Sequence, residues 1–349
     1  MNFSNTLLNW YNKNKRKLPW RKTKNPYKIW LSEIILQQTR VNQGLKYYED
    51  FIHKFPNILF LAKSSEDKVL KTWEGLGYYS RARNLHKTAK IIVKEYNSKF
   101  PRNYEDLLKL PGIGPYTAAA ISSICFNKKE AVVDGNVFRV LSRFFDIKTP
   151  INSTKGKKQF ALKAKEILPE GNYGDYNQSI MEFGALCCTP YSPNCKQCVL
   201  KSECISFKKN NVNMLPVKES SRKLKNRFFE YFLVERNGFF LIKKRTESDI
   251  WKHLYEFPLL EYQLKLSTDD IKQSKKFKHF KSKLKIDAFY EIKTTIHKLS
   301  HQKINCRFWS THCLLSTKKN TPSLKWIKKE NLKRIAFPRA IQKELNNLL

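Results

Sequence analysis

No stretch of about 18 uncharged apolar residues occurs in the 349-residue chain, so no transmembrane helix is expected. The first residues, MNFSNTLLNWYNKNKRK, lack the basic-then-apolar order of a secretory signal. These two absences predict a soluble, cytoplasmic protein. Acidic residues are scarce: 30 Asp and Glu stand against 67 Lys and Arg, a formal net charge of +37. Such a field suits a polyanion, nucleic acid above all, without separating DNA from RNA. A lysine-rich composition bias would produce the same excess. No internal repeat is present. What the chain does have is length for two domains, and 23 Phe and 16 Tyr to fill a core in each.

From Leu7 to about Leu168 the pattern reads as helices separated by short breaks at Phe55-Pro56-Asn57, Phe100-Pro101-Arg102-Asn103 and Pro111-Gly112-Ile113-Gly114. Tyr27–Tyr48 places Trp30, Ile34, Val41, Leu45 and Tyr48 on one helical stripe. Val137, Val140, Leu141 and Phe144 form another after Asp134. Lys208–Ser221 is polar and reads as a linker. Beyond it the period changes: two β-rich runs flank Asn237-Gly238, a hairpin signal, and further runs cover Phe289–Ile296 and Lys303–Trp309. Lys272–Lys285 reads as a solvated lysine-rich loop or helix, and Ile335–Leu349 as a short helix. The expected fold is a mainly α N-terminal part followed by an α+β C-terminal domain.

Five of the eight cysteines lie between Cys187 and Cys204. In a reducing compartment such a cluster reads as metal ligation, not disulfides. Cys188, Cys195, Cys198 and Cys204 are spaced C-x6-C-x2-C-x5-C. Zinc usually takes two paired knuckles, and only one Cys-x2-Cys pair is present, so uneven spacing on one loop favours an iron–sulfur centre over zinc or unligated thiols. Cys187 reads as a buried neighbour outside the ligand set. This loop, following a Gly-Ala-Leu helix, resembles the 4Fe–4S loop of the endonuclease III and MutY glycosylase superfamily. The resemblance implies a helix–hairpin–helix DNA glycosylase fold and a cluster that braces a phosphate-contacting loop, with Lys196, Lys201 and nearby Lys208 and Lys209 as the contacts.

Two further segments carry the same resemblance. In Leu110–Gly114, a Gly-x-Gly turn before a helix exposes backbone N–H groups that can bind phosphate without reading sequence. An ordinary interhelical turn would look the same, but beside the cysteine loop it resembles the superfamily's hairpin, with Gly112 and Gly114 as DNA contacts. Val133-Asp134-Gly135-Asn136-Val137 opens a helix, where Asp is most often an N-cap. The resemblance makes Asp134 the carboxylate that stabilises an oxocarbenium-like sugar, with Asn136 helping to position the site.

Two positions separate branches of the superfamily. Its lyases carry a Schiff-base Lys two residues after the hairpin's second glycine; here that residue is Tyr116, which cannot form an imine. Glu33 is a single carboxylate in the apolar run Ile29–Leu36. Burial would raise its pKa towards that of a general acid at neutral pH, while half-exposure would leave it in a surface ion pair. Ser32-Glu33-Ile34-Ile35-Leu36-Gln37-Gln38-Thr39 resembles the MutY motif, which makes Glu33 the proton donor to adenine and places Gln37 and Gln38 as wedges at the flipped base. Trp73–Asn84 resembles a second MutY segment. There Tyr78 would insert beside the lesion and Arg81 and Arg83 would contact phosphates; an ordinary helix start would also explain them.

Residues 226–349 fit the Nudix-like domain of that family in length and strand content. Trp251–Pro258 resembles its Gly-x-Trp-Glu-Phe-Pro segment in degraded form, and His297-Lys298-Leu299-Ser300-His301 its lesion-sensing loop, with Leu299 in place of Phe. Ser300 and His301 would contact 8-oxoguanine; an ordinary polar turn is the alternative. No Arg-Glu-x-x-Glu-Glu cluster for divalent metal is found, so pyrophosphatase activity is not expected. The division expected is 1–207 for the helical domain with its 188–204 loop, 208–225 for the linker and 226–349 for the lesion-recognition domain. The protein so implied is a monomeric, monofunctional adenine glycosylase acting on double-stranded DNA with 8-oxoguanine:A or G:A pairs. The rivals are an endonuclease III-like lyase and a non-enzymatic DNA binder.

Overall fold

The computed structural model describes residues 3–220, 224–313 and 324–348. By internal contacts the chain forms two compact units: Met1–Lys63 with Asn84–Ser220, and Ser64–Arg83 with Ser221–Leu349. Among the described residues, no helix is long and apolar enough to cross a membrane.

The first unit is helical, and its helices start where local chemistry starts them. Asn25 caps Pro26–Leu36, accepting from Tyr27 and Lys28 N–H at 3.0 and 3.3 Å, with Pro26 at a first-turn position that needs no donor. Ser153 caps Thr154–Glu166 through Gly156 N–H at 2.9 Å. The core holds the fully buried Trp30, Phe51, Phe55, Phe160 and Phe183, each such side chain contributing about 1.5–3 kcal/mol by burial. Tyr173–Leu186 packs against two neighbouring helices through glycines. A Cβ on Gly174 would lie 2.7 Å from Ile124 Cα, and one on Gly184 would lie 2.7 Å from Asn136 Cβ.

The single stripe expected over Tyr27–Tyr48 is two helices, Pro26–Leu36 and Val41–Lys54. Between them Gln38 takes a left-handed backbone (φ +54). The second helix folds back so closely that a Cβ on Gly44 would meet Leu36 Cδ2 at 2.8 Å. Residues 208–220, expected as a linker, bind to the first unit instead. Ile151 N–H donates to Val217 O at 3.0 Å, and Asn152 and Glu219 exchange two bonds at 2.9 and 3.2 Å.

The second unit is built on a seven-stranded sheet: β1 Lys225–Arg236, β2 Phe239–Lys244, β3 Tyr255–Glu256, β4 Leu259–Tyr262, β5 Ile286–Lys298, β6 Gln302–Cys313 and β7 Leu324–Lys328. The β1–β2 hairpin turns at Asn237 and Gly238, both with positive φ as a type I′ turn requires. β1 runs parallel to β6, which pairs antiparallel with the edge strand β5. Thr268–Gln273 and Lys275–Leu284 supply Ile271, Phe277 and Leu284 to a core with Phe232, Leu241, Trp309 and Trp326. The lysine-rich stretch is therefore a packed amphipathic helix. The expected tail helix is two short turns, Arg339–Gln342 and Leu345–Leu348. Buried charges on the sheet are paired: Glu230 accepts two bonds from Arg307 and one from Trp309 Nε1, each at 2.8 Å.

Within this unit the segment 64–83 packs on the C-terminal half. Phe337 N–H donates to Glu74 Oε1 at 3.0 Å, Lys244 pairs with Asp67 at 2.6 Å, and His253 pairs with Glu66 at 2.7 Å.

Candidate active site and cysteine pocket

A cleft of about 540 Å³ in the first unit gathers Glu33, Gln37, Gln38, Tyr116, Asp134, Asn136, Arg21 and Glu182 on its wall. Glu33 projects from Pro26–Leu36 and is 8% exposed. Burial pushes its carboxyl up to about 7, Asp134 adds to the rise, and the Tyr116 hydroxyl and Arg21 oppose it. Tyr116, near the start of Pro115–Phe126, donates its hydroxyl proton to Glu33 Oε2. Burial and the two carboxylates keep that phenol protonated far above neutral pH.

Asp134 is an N-cap and also faces the cleft. Its Oδ1 accepts from the N–H groups of Asn136 and Val137 at 2.8 Å, and its Oδ2 accepts from Asn136 Nδ2 at 2.8 Å. Burial raises its pKa, while these donors and Arg139 favour the charged form. Asn136 Oδ1 in turn accepts from Arg139 Nη2 at 2.9 Å, and Arg139 Nε donates to Cys188 O at 2.7 Å. One chain of hydrogen bonds thus runs from the cleft carboxylate to the cysteine loop.

Sequence reading missed the other polar wall of the cleft. Glu182 accepts paired bonds from Arg21 (2.6 and 2.6 Å) and from Arg16 (2.9 and 2.5 Å). Burial alone would raise its pKa; the two guanidiniums outweigh burial and hold it at about 2. Only the oddity of a Glu inside Ser179–Leu186 could have signalled it. Gln37 Nε2 donates to Thr117 Oγ1 at 3.3 Å, whereas Gln38 is at the rim of the cleft.

The hairpin glycines serve different ends. Gly112 has φ +79, and a Cβ there would lie 2.7 Å from Asn84 Cβ. Gly114 caps Pro115–Phe126, and a Cβ there would meet nothing within 4 Å. Gly112→Ala is therefore expected to lower stability by about 1–3 kcal/mol, read as a fall in thermal midpoint. Gly114→Ala should leave the midpoint unchanged.

In the second unit Tyr78 has φ +48 and is half-exposed, and its hydroxyl donates to Ser300 Oγ at 3.4 Å. Ser300 and His301 are exposed in the β5–β6 turn, with 3.3 Å between Ser300 Oγ and His301 Nδ1. Arg81 does not present the open guanidinium expected of a phosphate contact, and Arg83 has one guanidinium nitrogen engaged. Arg81 lies over the Trp73 ring and donates to the carbonyls of Leu76 and Gly77 at 3.3 and 3.2 Å. Arg83 donates to Lys252 O at 2.8 Å. Both guanidiniums hold loops in place.

The thiols of Cys187, Cys188, Cys195, Cys198 and Cys204 surround one pocket, with Val140, Phe144, Phe183, Leu200 and Val212 as its apolar wall. Among the described residues, no three His, Cys, Asp or Glu side chains converge tightly enough to hold a single ion. Arg143, only 2% exposed, ties this region together. It donates to the carbonyls of Thr189 (2.7 Å), Pro190 (3.1 Å), Val212 (3.0 Å) and Leu215 (3.1 Å), and reaches Cys188 Sγ at 3.5 Å. Thiols ringing an apolar cavity, with a cation behind one of them, fit a polynuclear iron–sulfur centre. Lys196 and Lys201 are exposed on the loop, and Lys209 pairs with Asp146 at 2.8 Å.

Residues 31–170 match the HhH-GPD superfamily of base excision DNA repair proteins, and residues 230–347 match the NUDIX domain. The helical part resembles the solved structure of a thermostable thymine-DNA glycosylase (TM-score 0.55, 33% identity, 59% of this chain and 95% of that one). It also shares the fold of a trapped endonuclease III–DNA intermediate (TM-score 0.52, 22% identity, 59% of this chain and 94% of that one). The human adenine DNA glycosylase is 42% identical over 58% of this chain and 39% of its own length. The adenine DNA glycosylase of Buchnera aphidicola subsp. Schizaphis graminum is 38% identical across 98% of this chain and 97% of its own. The chain belongs to the adenine DNA glycosylase family, DNA N-glycosylases that join a helical base-excision domain to a Nudix-like one.

Proposed function

We propose that this glycosylase removes adenine paired with 8-oxoguanine or guanine in double-stranded DNA, leaves an abasic site and works as a monomer. The observation that carries the reading is the pair of carboxylates, Glu33 buried and Asp134 partly buried, on one cleft whose wall, among the described residues, includes no lysine to form an imine. Adenine flips into the cleft. Glu33, protonated near neutrality, gives its proton to N7 and turns a poor anionic leaving group into a neutral one. Asp134 stabilises the positive charge that develops on the sugar, and Asn136 holds its carboxylate in place. The Glu33 carboxylate then orients the attacking water. Tyr116 aims Glu33 and, lacking a nucleophilic nitrogen, leaves the strand uncut.

The rate should follow protonated Glu33, flat below about pH 7 and falling tenfold per unit above it. The Tyr116 hydroxyl stabilises the charged form, so Tyr116→Phe should move the falling limb to higher pH. Single-turnover rates across pH test both points, and a limb unmoved or shifted down in Tyr116→Phe contradicts the assignment.

Cys188, Cys195, Cys198 and Cys204 would hold a 4Fe–4S cluster. When bound, it supplies bonds that brace the loop and takes no part in base release. Lys196, Lys201, Gly112 and Gly114 then meet phosphates, and Gln37 and Gln38 fill the space left by adenine. Residues 226–349 act as the lesion reader, with Tyr78, Ser300 and His301 on the 8-oxoguanine. Because 64–83 packs with the C-terminal half, deleting that half would strip the segment of partners, so point variants make the better test. Ser300→Ala with His301→Ala should narrow the rate preference for 8-oxoguanine:A over G:A while leaving the G:A rate intact. An unchanged preference excludes this loop as the reader.

A further inference from the structure

A second hollow in the first unit, a groove of about 760 Å³, adjoins the cleft. Tyr116, Val133 and Phe138 line both, so the groove begins where the cleft ends. Pro115 lines it as well, directly after the hairpin residue Gly114.

The cations of the groove all come from one face of Thr154–Glu166. Lys157, Ala161 and Lys165 follow at i, i+4 and i+8, with Lys158 and Leu162 beside them. From Lys157 to Lys165 is about 12 Å along the helix axis. The helix is held firmly. A Cβ on Gly156 would lie 2.0 Å from Pro150 O, and Phe160 packs edge-on against Phe138 at 5.1 Å between centroids. The three lysines are exposed, and among the described residues no ion pair holds any of them; Lys163, which does not line the groove, is paired with Glu166 at 2.7 Å. Glu105 and Glu130 also line the groove, from other segments, so its charge is polarised with the helix as the positive side.

We infer that this groove carries the sugar–phosphate strand next to the flipped adenine, with Lys157, Lys158 and Lys165 on its phosphates. The inference rests on the cleft reading above. A nucleotide turned into the cleft keeps both phosphodiester links, so the backbone beside it must follow a surface continuous with the cleft. The groove is continuous with it, starts at the hairpin and offers unpaired ammonium groups. Leu162, 61% exposed among the lysines, gives an apolar surface for a deoxyribose. Contacts of this kind position the strand without reading its sequence.

The test measures duplex affinity against salt for the full-length chain, with 8-oxoguanine:A and G:A duplexes. Each lost phosphate contact should make the plot of log affinity against log salt shallower by about 0.9. Replacing Lys157, Lys158 and Lys165 together with Ala should flatten the slope by about 2 to 3 and weaken both duplexes alike, at an unchanged thermal midpoint. Lys155→Ala, on the same helix but outside the groove, should leave the slope as it is. Neutral methylphosphonate links on the two sides of the adenine should weaken wild type more than the triple variant, since the variant has already lost those contacts. A wild-type slope in the triple variant overturns the inference, as does an equal flattening by Lys155→Ala. Equal losses on the methylphosphonate duplex place the lysines elsewhere and overturn it too. Failure of wild type to release adenine from either duplex would instead remove the cleft reading, an outcome independent of every lysine variant.

Discussion

Replacing Glu33 with Gln is expected to cut single-turnover adenine release by about 10²- to 10⁴-fold, the range supplied by a positioned general acid. The amide has the size of the carboxyl and can still accept the Tyr116 hydroxyl, so the buried site keeps its packing. It cannot deliver a proton. Affinity for mismatched duplex and helical content should therefore match wild type, and the falling limb in pH should vanish with the rate. Wild-type release by Glu33→Gln would remove Glu33 from the chemistry. A loss of duplex affinity as large as the loss of rate would make it a binding residue instead.

The second large effect is expected at Arg143, which never touches the cleft. Arg143→Met removes a guanidinium that serves the carbonyls of Thr189, Pro190, Val212 and Leu215 in a nearly closed environment. Each buried acceptor left without a donor costs about 1–3 kcal/mol, so the substitution should lower stability by at least about 3 kcal/mol. The damage should concentrate on residues 188–215, giving faster amide exchange there than in Pro26–Leu36 and less iron in the purified protein. Arg143→Lys should rescue little, because one ammonium cannot replace a planar fork that points at several carbonyls. A variant as stable and as loaded as wild type would show the bonds to be dispensable.

Where the signal is local, much of the fold and of the cleft is legible in the amino-acid order. Asp134 announces a helix start because a short acceptor before an apolar stripe has little else to do, and the same oxygen atoms then face the cleft. Asn237-Gly238 marks a hairpin because few residue pairs tolerate positive φ twice. Long-range pairing left no such mark. Glu182 meets Arg16 and Arg21 across more than 160 residues, and nothing near any of the three predicts the others. The break at Gln37–Arg40 has neither Pro nor Gly, and the close return of the next helix against Leu36 is permitted by Gly44, four residues beyond it. Arg81 and Arg83 look like surface charges in sequence because the ring and carbonyls that occupy them are set by the loop's fold. The parallel pairing of β1 with β6 spans most of a domain and is likewise invisible to local period.

The packing of residues 64–83 on the C-terminal half bears on how the chain is made. Glu74 waits for Phe337, which leaves the ribosome 263 residues later. At roughly 5–20 residues per second that delay is on the order of tens of seconds. During it Tyr79 lacks the carbonyl its hydroxyl meets at 3.4 Å, and for the first part of it Asp67 lacks Lys244. A nascent chain stalled before residue 337 would hold a finished cleft wall at Glu33, Tyr116 and Asp134 but an unfinished strip at 64–83. Synthesis itself then sets an order in which the chemistry is assembled first and the segment carrying Tyr78 last.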